Sequence, residues 1–384
     1  MNLKLSGIPV NLSKPIIGNV AIYNKEEFKK ADILLINDFT DLKSNSIKCD
    51  AILTDQKNSL PQNNSYSNFP IVYHISHCNS LNDGDIILIN TDGVINILFQ
   101  LNSYHNSLFL TNQCNNNCLM CSQPPQGRND INYLYRINMK LLDKIPRSTR
   151  VLGLTGGEPT LLGDRFIKLM HKITTKLPDT EIQILTNGRA FAWNDFVFEV
   201  SKVSNSKMVW CIPINSDYYL LHDYIVQSKN AFSQTILGIH NLASFNMRIE
   251  IRIVLTKLII PRLLKIAKFI YKNLPFVEHI AFIGLEYIGH TPNNDSILWI
   301  DPYDYKEFLD QAVEFLAINN FNVSIYNLPL CILPKQLWKY SRKSISDWKV
   351  IYLEPCDHCK MKDGYSGFFS SSLKKHSRYI KQIN

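Results

Sequence analysis

The chain has 384 residues, 45% of them hydrophobic, and a formal net charge of +8, enough for one large domain with one or two smaller ones and an ordinary soluble core. No apolar run approaches the roughly 18 residues of a membrane span, and the start of the chain lacks a charged segment followed by an apolar stretch, so a cytoplasmic protein is expected. Seven of the eight net positive charges fall in 335–384, which argues against a nucleic-acid surface over the whole protein. Nine cysteines, an odd number in uneven clusters, fit metal ligation in a reducing compartment better than a disulfide framework.

Residues 1–104 read as a separate α/β or mostly β module. Apolar runs at 31–37 and 85–90, bounded by Asp and Asn, have the pattern of buried strands. Asp92-Gly93 joins the second run to 94–99 as a hairpin turn. The Asn, Ser and Pro of 57–68 predict an exposed loop. Cys49, His74, His77 and Cys78 have no dependable ligand spacing and read first as ordinary strand or loop residues.

From residue 105 to 320 a short apolar strand followed by an amphipathic helix recurs six times, the mark of a parallel sheet covered by helices. Strands are expected at 108–111, 150–155, 181–186, 208–215, 248–256 and 279–287, and helices at 139–145, 165–177, 195–203, 234–245, 261–274 and 303–319. Asp301 and Pro302 suit the cap and first turn of the last helix. Six such units are too few for a closed eight-stranded barrel, so a partial barrel of the α/β class, (β/α)6, is expected, with chemistry at the carboxyl ends of its strands.

Candidate functional residues fall at that end. Cys114, Cys118 and Cys121 stand at C-x3-C-x2-C directly after the first strand. Three thiolates on one tight loop make a metal site. Zinc prefers four protein ligands in a structural site, and a [4Fe-4S] cube normally takes four cysteines, so three ligands on a cube leave one iron open. An open iron can chelate the amino and carboxylate groups of S-adenosylmethionine (SAM) and pass an electron to its sulfonium, and the spacing resembles that of the radical SAM enzymes. One unit later, Gly156, Gly157, Glu158 and Pro159 follow the second strand, where paired glycines allow close backbone approach to a ligand and bare amides can bond it. This segment resembles the radical SAM segment that contacts the methionyl amine.

Asn187 ends the third strand and Asn215 the fourth, offering polar groups at the mouth that turn chemistry explains as well. On the fifth strand, period two sets Glu250 and Arg252 opposite Ile249, Ile251, Ile253 and Leu255. Their face is expected to be the barrel lumen, where a guanidinium can grip the cofactor carboxylate; an internal Glu250–Arg252 pair is the alternative. The same period puts Gly284 and Glu286 together on the sixth strand, so Glu286 joins the lumen set. Met120 stands where many radical SAM proteins have an aromatic residue against adenine, and its soft side chain can pack on a ring. His222-Asp223 reads as a loop pair, a general base or a helix-start Asp with a surface His.

Residues 321–384 form a C-terminal extension that begins with one more strand at 321–326. Cys331, Cys356 and Cys359 give a C-x2-C pair with a distant third cysteine. They suit an auxiliary iron–sulfur cluster or zinc, with His358, His376 or an exogenous group as fourth ligand, or else are unligated. The basic end suits an acidic electron donor such as a flavodoxin, or is a solvated lysine-rich end.

Together, Asn112 through Pro125, Gly153 through Pro159, Gly284-Leu-Glu286, Asn327 through Cys331 and Ser344 through Lys349 resemble the C-type radical SAM maturase of the His-Xaa-Ser peptide-modification system, over about 84–372. The resemblance implies an oxygen-sensitive enzyme that matures a ribosomal precursor peptide or small protein with a second radical SAM maturase and a small accessory protein. It carries over Cys114, Cys118 and Cys121 as cluster ligands and Gly156 to Pro159 as SAM contacts. Where that family has a cysteine and a glycine before Gly-Phe-Phe, this chain has Tyr365 and Ser366, so the expected fourth auxiliary ligand is missing. A radical SAM enzyme for a sulfatase-type protein or an RNA base, and a non-catalytic SAM or iron–sulfur binding protein, remain alternatives.

Overall fold

The computed structural model describes residues 4–23, 32–37, 48–56, 69–343, 350–364 and 367–384. The expected loop at 57–68, and 344–349 and 365–366 that entered the resemblance, lie outside the described residues. Two compact units are present, Met1–Leu108 with Arg136–Thr149 and Phe109–Tyr135 with Arg150–Asn384.

The first unit is built on β1 (Lys4–Ser6), β2 (Ile8–Val10), β3 (Ile16–Ile22), β4 (Ile33–Ile36), β5 (Ala51–Thr54), β6 (Ile71–Tyr73), β7 (Ile86–Ile89) and β8 (Val94–Phe99). Their order is β1-β8-β7-β3-β4-β5-β6-β2. Gly7 alone separates the two strands at the ends of that order, so one bent strand pairs with β8 on one side and β6 on the other. Among the described residues the sheet therefore closes on itself and exposes no long edge. β7 and β8 form the expected hairpin, Gly93 at φ +81° and Val94 N donating to Asp92 Oδ1 at 3.0 Å. β4 and β5 run parallel between β3 and β6 and are buried along their whole length, which is why they read as unbroken apolar runs. Cys78 packs against one core and Cys49 against the other, while His74 and His77 take positive φ.

The second unit is α/β. β9 (Asn106–Phe109), β10 (Val151–Thr155), β11 (Glu181–Leu185), β12 (Met208–Pro213), β13 (Arg248–Leu255), β14 (His279–Gly284) and β15 (Val323–Tyr326) form one sheet in chain order, parallel from β10 to β15. β9 and α1 (Ile131–Leu142) each have residues in both units; the other helices are α2 (Asp164–Lys176), α3 (Asn194–Val203), α4 (Tyr219–Val226), α5 (Ala231–Ser244), α6 (Leu263–Asn273), α7 (Asp295–Leu298) and α8 (Lys306–Ile318). α2 buries Phe166, Leu169, Met170 and Ile173, the i, i+3, i+4, i+7 stripe of an amphipathic helix; α6 and α8 repeat the pattern. Trp210 meets Phe166 and Phe191 edge-on or tilted, so its side of the sheet faces the helices, and Ile249, in register with it, faces them too. In the extension, β16 (Val350–Ile351) and β17 (Phe368–Phe369) pair antiparallel.

Four expectations need correction. α1 starts at Ile131, not 139, because its first turns carry Asn, Tyr and Arg on exposed positions that hide the apolar period. α4 occupies the stretch read as a loop around His222. α8 begins at Lys306 without a side-chain cap; Asp301 instead accepts from Tyr303 N, Ser377 Oγ and Arg378 N and fastens the tail. β14 stops at Gly284, which pairs with Leu255 on the helix-facing side, so the period does not carry Glu286 onto the opposite face.

Gly238 lets α5 approach the turn after β11: a Cβ there would lie 2.2 Å from Gly188 O. Gly238→Ala should cost about 1–3 kcal/mol, read as a lower denaturation midpoint; an unchanged midpoint would refute this packing.

Candidate active site

Leu110 N donates to Thr155 O at 2.9 Å, and the chain then leaves the sheet to form the loop that carries Cys114, Cys118 and Cys121. Having no ladder of its own, the loop must find outside partners for its backbone. Buried Asp130 holds its start, accepting from Thr111 Oγ1 at 2.8 Å, Asn112 N at 3.0 Å and Asn112 Nδ2. Asn117 N and Leu119 N donate to Val226 O and Ile225 O at 3.0 and 2.9 Å, using carbonyls that the end of α4 leaves open. On another side, His290 N donates to Cys121 O at 2.9 Å, Asn294 Nδ2 to Leu119 O at 2.9 Å, and His290 Nε2 lies 3.0 Å from Asn117 Oδ1.

The Gly-Gly-Glu-Pro segment abuts the same loop. Gly157 N donates to Thr111 O at 2.6 Å and Glu158 N to Gln113 O at 2.7 Å, so these amides are not bare as expected. A Cβ on Gly157 would sit 2.0 Å from Gln113 O, and one on Gly156 2.6 Å from Thr111 O. What the glycines approach is the cysteine loop. Glu158 is fully buried: Oε1 accepts from Thr160 N, Thr160 Oγ1 and Thr186 Oγ1 at 3.0, 2.7 and 2.6 Å, and Oε2 from Asn187 N at 2.7 Å. Burial raises its pKa, opposed by these bonds. Its carboxylate is thus committed to the ends of β10 and β11 and not turned toward a ligand. Pro159 is buried in the 3-10 turn Pro159–Leu162.

The three thiols are free and half-buried. Burial pushes Cys114 up to about 11, Cys118 to about 12 and Cys121 upward, and electrostatic coupling among the sulfurs raises Cys114 and Cys118 further. Such thiols lose their protons when a metal takes them, and three soft sulfurs select iron–sulfur or zinc chemistry. Among the described residues no three His, Cys, Asp or Glu side chains converge on a single-ion centre. A [4Fe-4S] cube takes cysteine thiolates as its protein ligands, and these three on one loop have that donor chemistry. Met120 is half-buried on the same loop.

Asn187 joins the loop's surroundings, Nδ2 donating to Asn115 Oδ1 at 2.6 Å. Asn215 is buried; its N donates to His222 Nδ1 at 3.3 Å, and its Oδ1 has no partner among the described residues, leaving an acceptor at the end of β12. His222 is therefore neutral, and burial lowers its pKa to about 4, with Arg189 acting in the same sense and Asp223 opposing. Asp223 caps α5 by accepting from Phe232 N at 2.8 Å.

Glu250 and Arg252 do lie on the face away from the helices, but as part of a chain. Arg252 Nε donates to Glu250 Oε1 at 2.6 Å, Glu250 Oε2 is 2.7 Å from His279 Nδ1, and His279 Nε2 is 2.9 Å from Ser324 Oγ. Burial works to raise the Glu250 pKa, yet the His279 bond and Arg252 overcome it and hold it at about 2. This is the internal pair that stood as the alternative to a carboxylate grip; Glu250, His279 and Ser324 lie in the first halves of their strands, while Arg252 is in register with Pro213, the last residue of β12.

In the extension, burial raises the Cys331 thiol, and Cys356 and Cys359 add to the shift. Cys356 packs with Leu330 and Phe368, and Cys359 Sγ accepts from Ile383 N at 3.4 Å. Asp130, Arg189, His290 and Asn294 are the residues that sequence reasoning missed. Each is a common polar residue whose part appears only when the chain is folded; for Arg189 alone, closeness to Asn187-Gly188 was a signal.

Residues 108–269 match the model of the Radical SAM superfamily, and the chain carries a radical SAM superfamily domain there. Such a domain implies a [4Fe-4S] cluster and SAM. Among solved structures, the chain is similar to Streptococcus suis SuiB bound to S-adenosylmethionine (14% identity, 62% of this chain and 53% of that chain, TM-score 0.45). It is also similar to native anSMEcpe with bound AdoMet and Cp18Cys peptide (19%, 57% and 62%, 0.43). A third likeness is to coproporphyrinogen III oxidase HemN from Escherichia coli, a radical SAM enzyme (11%, 55% and 52%, 0.43). The chain spans less than two thirds of each of the three. No curated protein matches it. Among the described residues no helix is long and apolar enough to cross a membrane.

The depressed His222 pKa has a definite sign. The unfolded chain takes up a proton near pH 6.5 and the folded one only near 4, so stability should fall as pH drops through that window, by up to about 3 kcal/mol, and level off below it. Chemical denaturation from pH 7 to 4 checks this; His222→Gln should flatten the slope, and an unchanged slope would count against it.

Proposed function

We propose that this chain is a radical SAM enzyme that holds a [4Fe-4S] cluster on Cys114, Cys118 and Cys121 and modifies a ribosomally made peptide or small protein by hydrogen abstraction, as in His-Xaa-Ser maturation. The observation that carries the first part is the three-cysteine loop itself, bound on several sides at the carboxyl edge of a parallel sheet inside the segment that matches the superfamily. The peptide substrate rests on the sequence resemblance, as do a second maturase and a small accessory protein as partners. Cys114, Cys118 and Cys121 would hold the cluster, which with SAM and an electron from an external flavodoxin-type donor would supply radical hydrogen abstraction from a substrate carbon.

The chain's own residues hold and shield. Asp130, Gly157 and the carbonyls of Ile225 and Val226 keep the loop in one shape, and Asn215 Oδ1 offers a buried acceptor to a polar group at the mouth. Gly156 to Pro159 serve SAM binding chiefly by building the wall beside the cysteines. Cys331, Cys356 and Cys359 are proposed as an auxiliary metal site in the 321–384 extension; 105–320 is proposed as the catalytic segment and 1–104 as a separate module. A cytoplasmic location belongs to the same proposal.

Cys118→Ala should leave anaerobically reconstituted protein without the SAM-binding cluster and reduce 5′-deoxyadenosine formation to background. Retained SAM cleavage by this variant would refute the ligand assignment.

A further inference from the structure

Arg189 stands just past the end of β11, where Gly188 at φ +78° turns the chain. Its Nη1 lies 2.7 Å from Asn115 O, 2.6 Å from Asn116 Oδ1 and 2.7 Å from Ser228 Oγ, and its Nε donates to Gln234 Oε1 at 2.7 Å. One guanidinium thus joins three parts of the fold: the middle of the cysteine loop between Cys114 and Cys118, the connection from α4 to α5, and the first turn of α5. Asn116, whose side chain it holds, is buried, and Asn116 N points at Cys114 Sγ at 3.4 Å. Ser228 Oγ also reaches Asn115 O, at 3.3 Å, so the loop peptide is held from two directions.

We infer that Arg189 is a positioning residue for the cluster: it fixes the 115–116 peptide between two ligand cysteines and sets a positive charge beside a centre that becomes more negative on reduction. This rests on the reading of Cys114, Cys118 and Cys121 as cluster ligands. The fork geometry and the charge act separately. The fork needs Nε and Nη1 together, which an ammonium cannot supply; the charge raises the reduction potential, since net charge and hydrogen bonding around a cluster tune it.

The test uses the full chain, reconstituted with iron and sulfide, with two readouts that need no turnover: the cluster reduction potential by redox titration, and the rate of iron loss to a chelator. Arg189→Gln should give a more negative potential and about tenfold or faster iron loss. Arg189→Lys should keep the potential near that of the unaltered protein and still lose iron faster. Gln234→Leu, which removes only the Nε partner, should speed iron loss without moving the potential, and serves if the Arg189 variants do not fold. Unaltered protein that takes up no cluster overturns the cysteine-loop reading itself. A cluster in unaltered protein, with potential and iron loss unchanged in the variants, overturns the role of Arg189 alone.

Discussion

An irregular loop that presents three cysteines gives up its own hydrogen-bonded ladder, and its peptide groups must be satisfied from outside. The carboxyl edge of the parallel sheet is organised around that requirement. Asp130 takes the entry to the loop, the last carbonyls of α4 take Asn117 and Leu119, the 290–294 segment takes Leu119 and Cys121, and Arg189 takes Asn115 and Asn116. Each contact comes from a different element. The shape of the loop is therefore a property of the folded sheet and not of the local sequence.

The buried carboxylates divide along the same line. Asp130 and Glu158 act as acceptors that join loop ends, and the Gly-Gly-Glu-Pro motif becomes a joint: its glycines admit the cysteine loop and its glutamate ties β10 to β11. Glu250 belongs instead to a chain through His279 to Ser324 that spans β13, β14 and β15. Each buried carboxylate oxygen that accepts such donors has its hydrogen-bonding needs met inside the protein. Placing these groups at strand ends and across neighbouring strands stiffens the sheet beneath the site.

Much of this was legible in the sequence. The apolar runs marked β4, β7, β8 and β9 to β15 to within a few residues but not β1, β2, β3, β5 or β6, Asp92-Gly93 marked a hairpin, and the cysteine spacing marked the loop. The misses share a cause, since period and spacing describe one strand or helix at a time. Whether Gly157 N is bare, whether Glu158 faces a ligand and whether Asp301 caps a helix depend on partners far along the chain. β14 ends sooner than its period suggested, so that period does not place Glu286, and α4 was passed over because eight residues between a strand and another helix leave little period to read.

The most direct measurement is SAM cleavage by anaerobically reconstituted, dithionite-reduced protein, with 5′-deoxyadenosine and bound iron quantified on one sample. The account predicts 5′-deoxyadenosine with at least about four iron atoms per chain, and about eight if the tail cysteines complete a second cube. Protein that holds the cluster and binds SAM, yet forms no 5′-deoxyadenosine with or without candidate peptide, would contradict it.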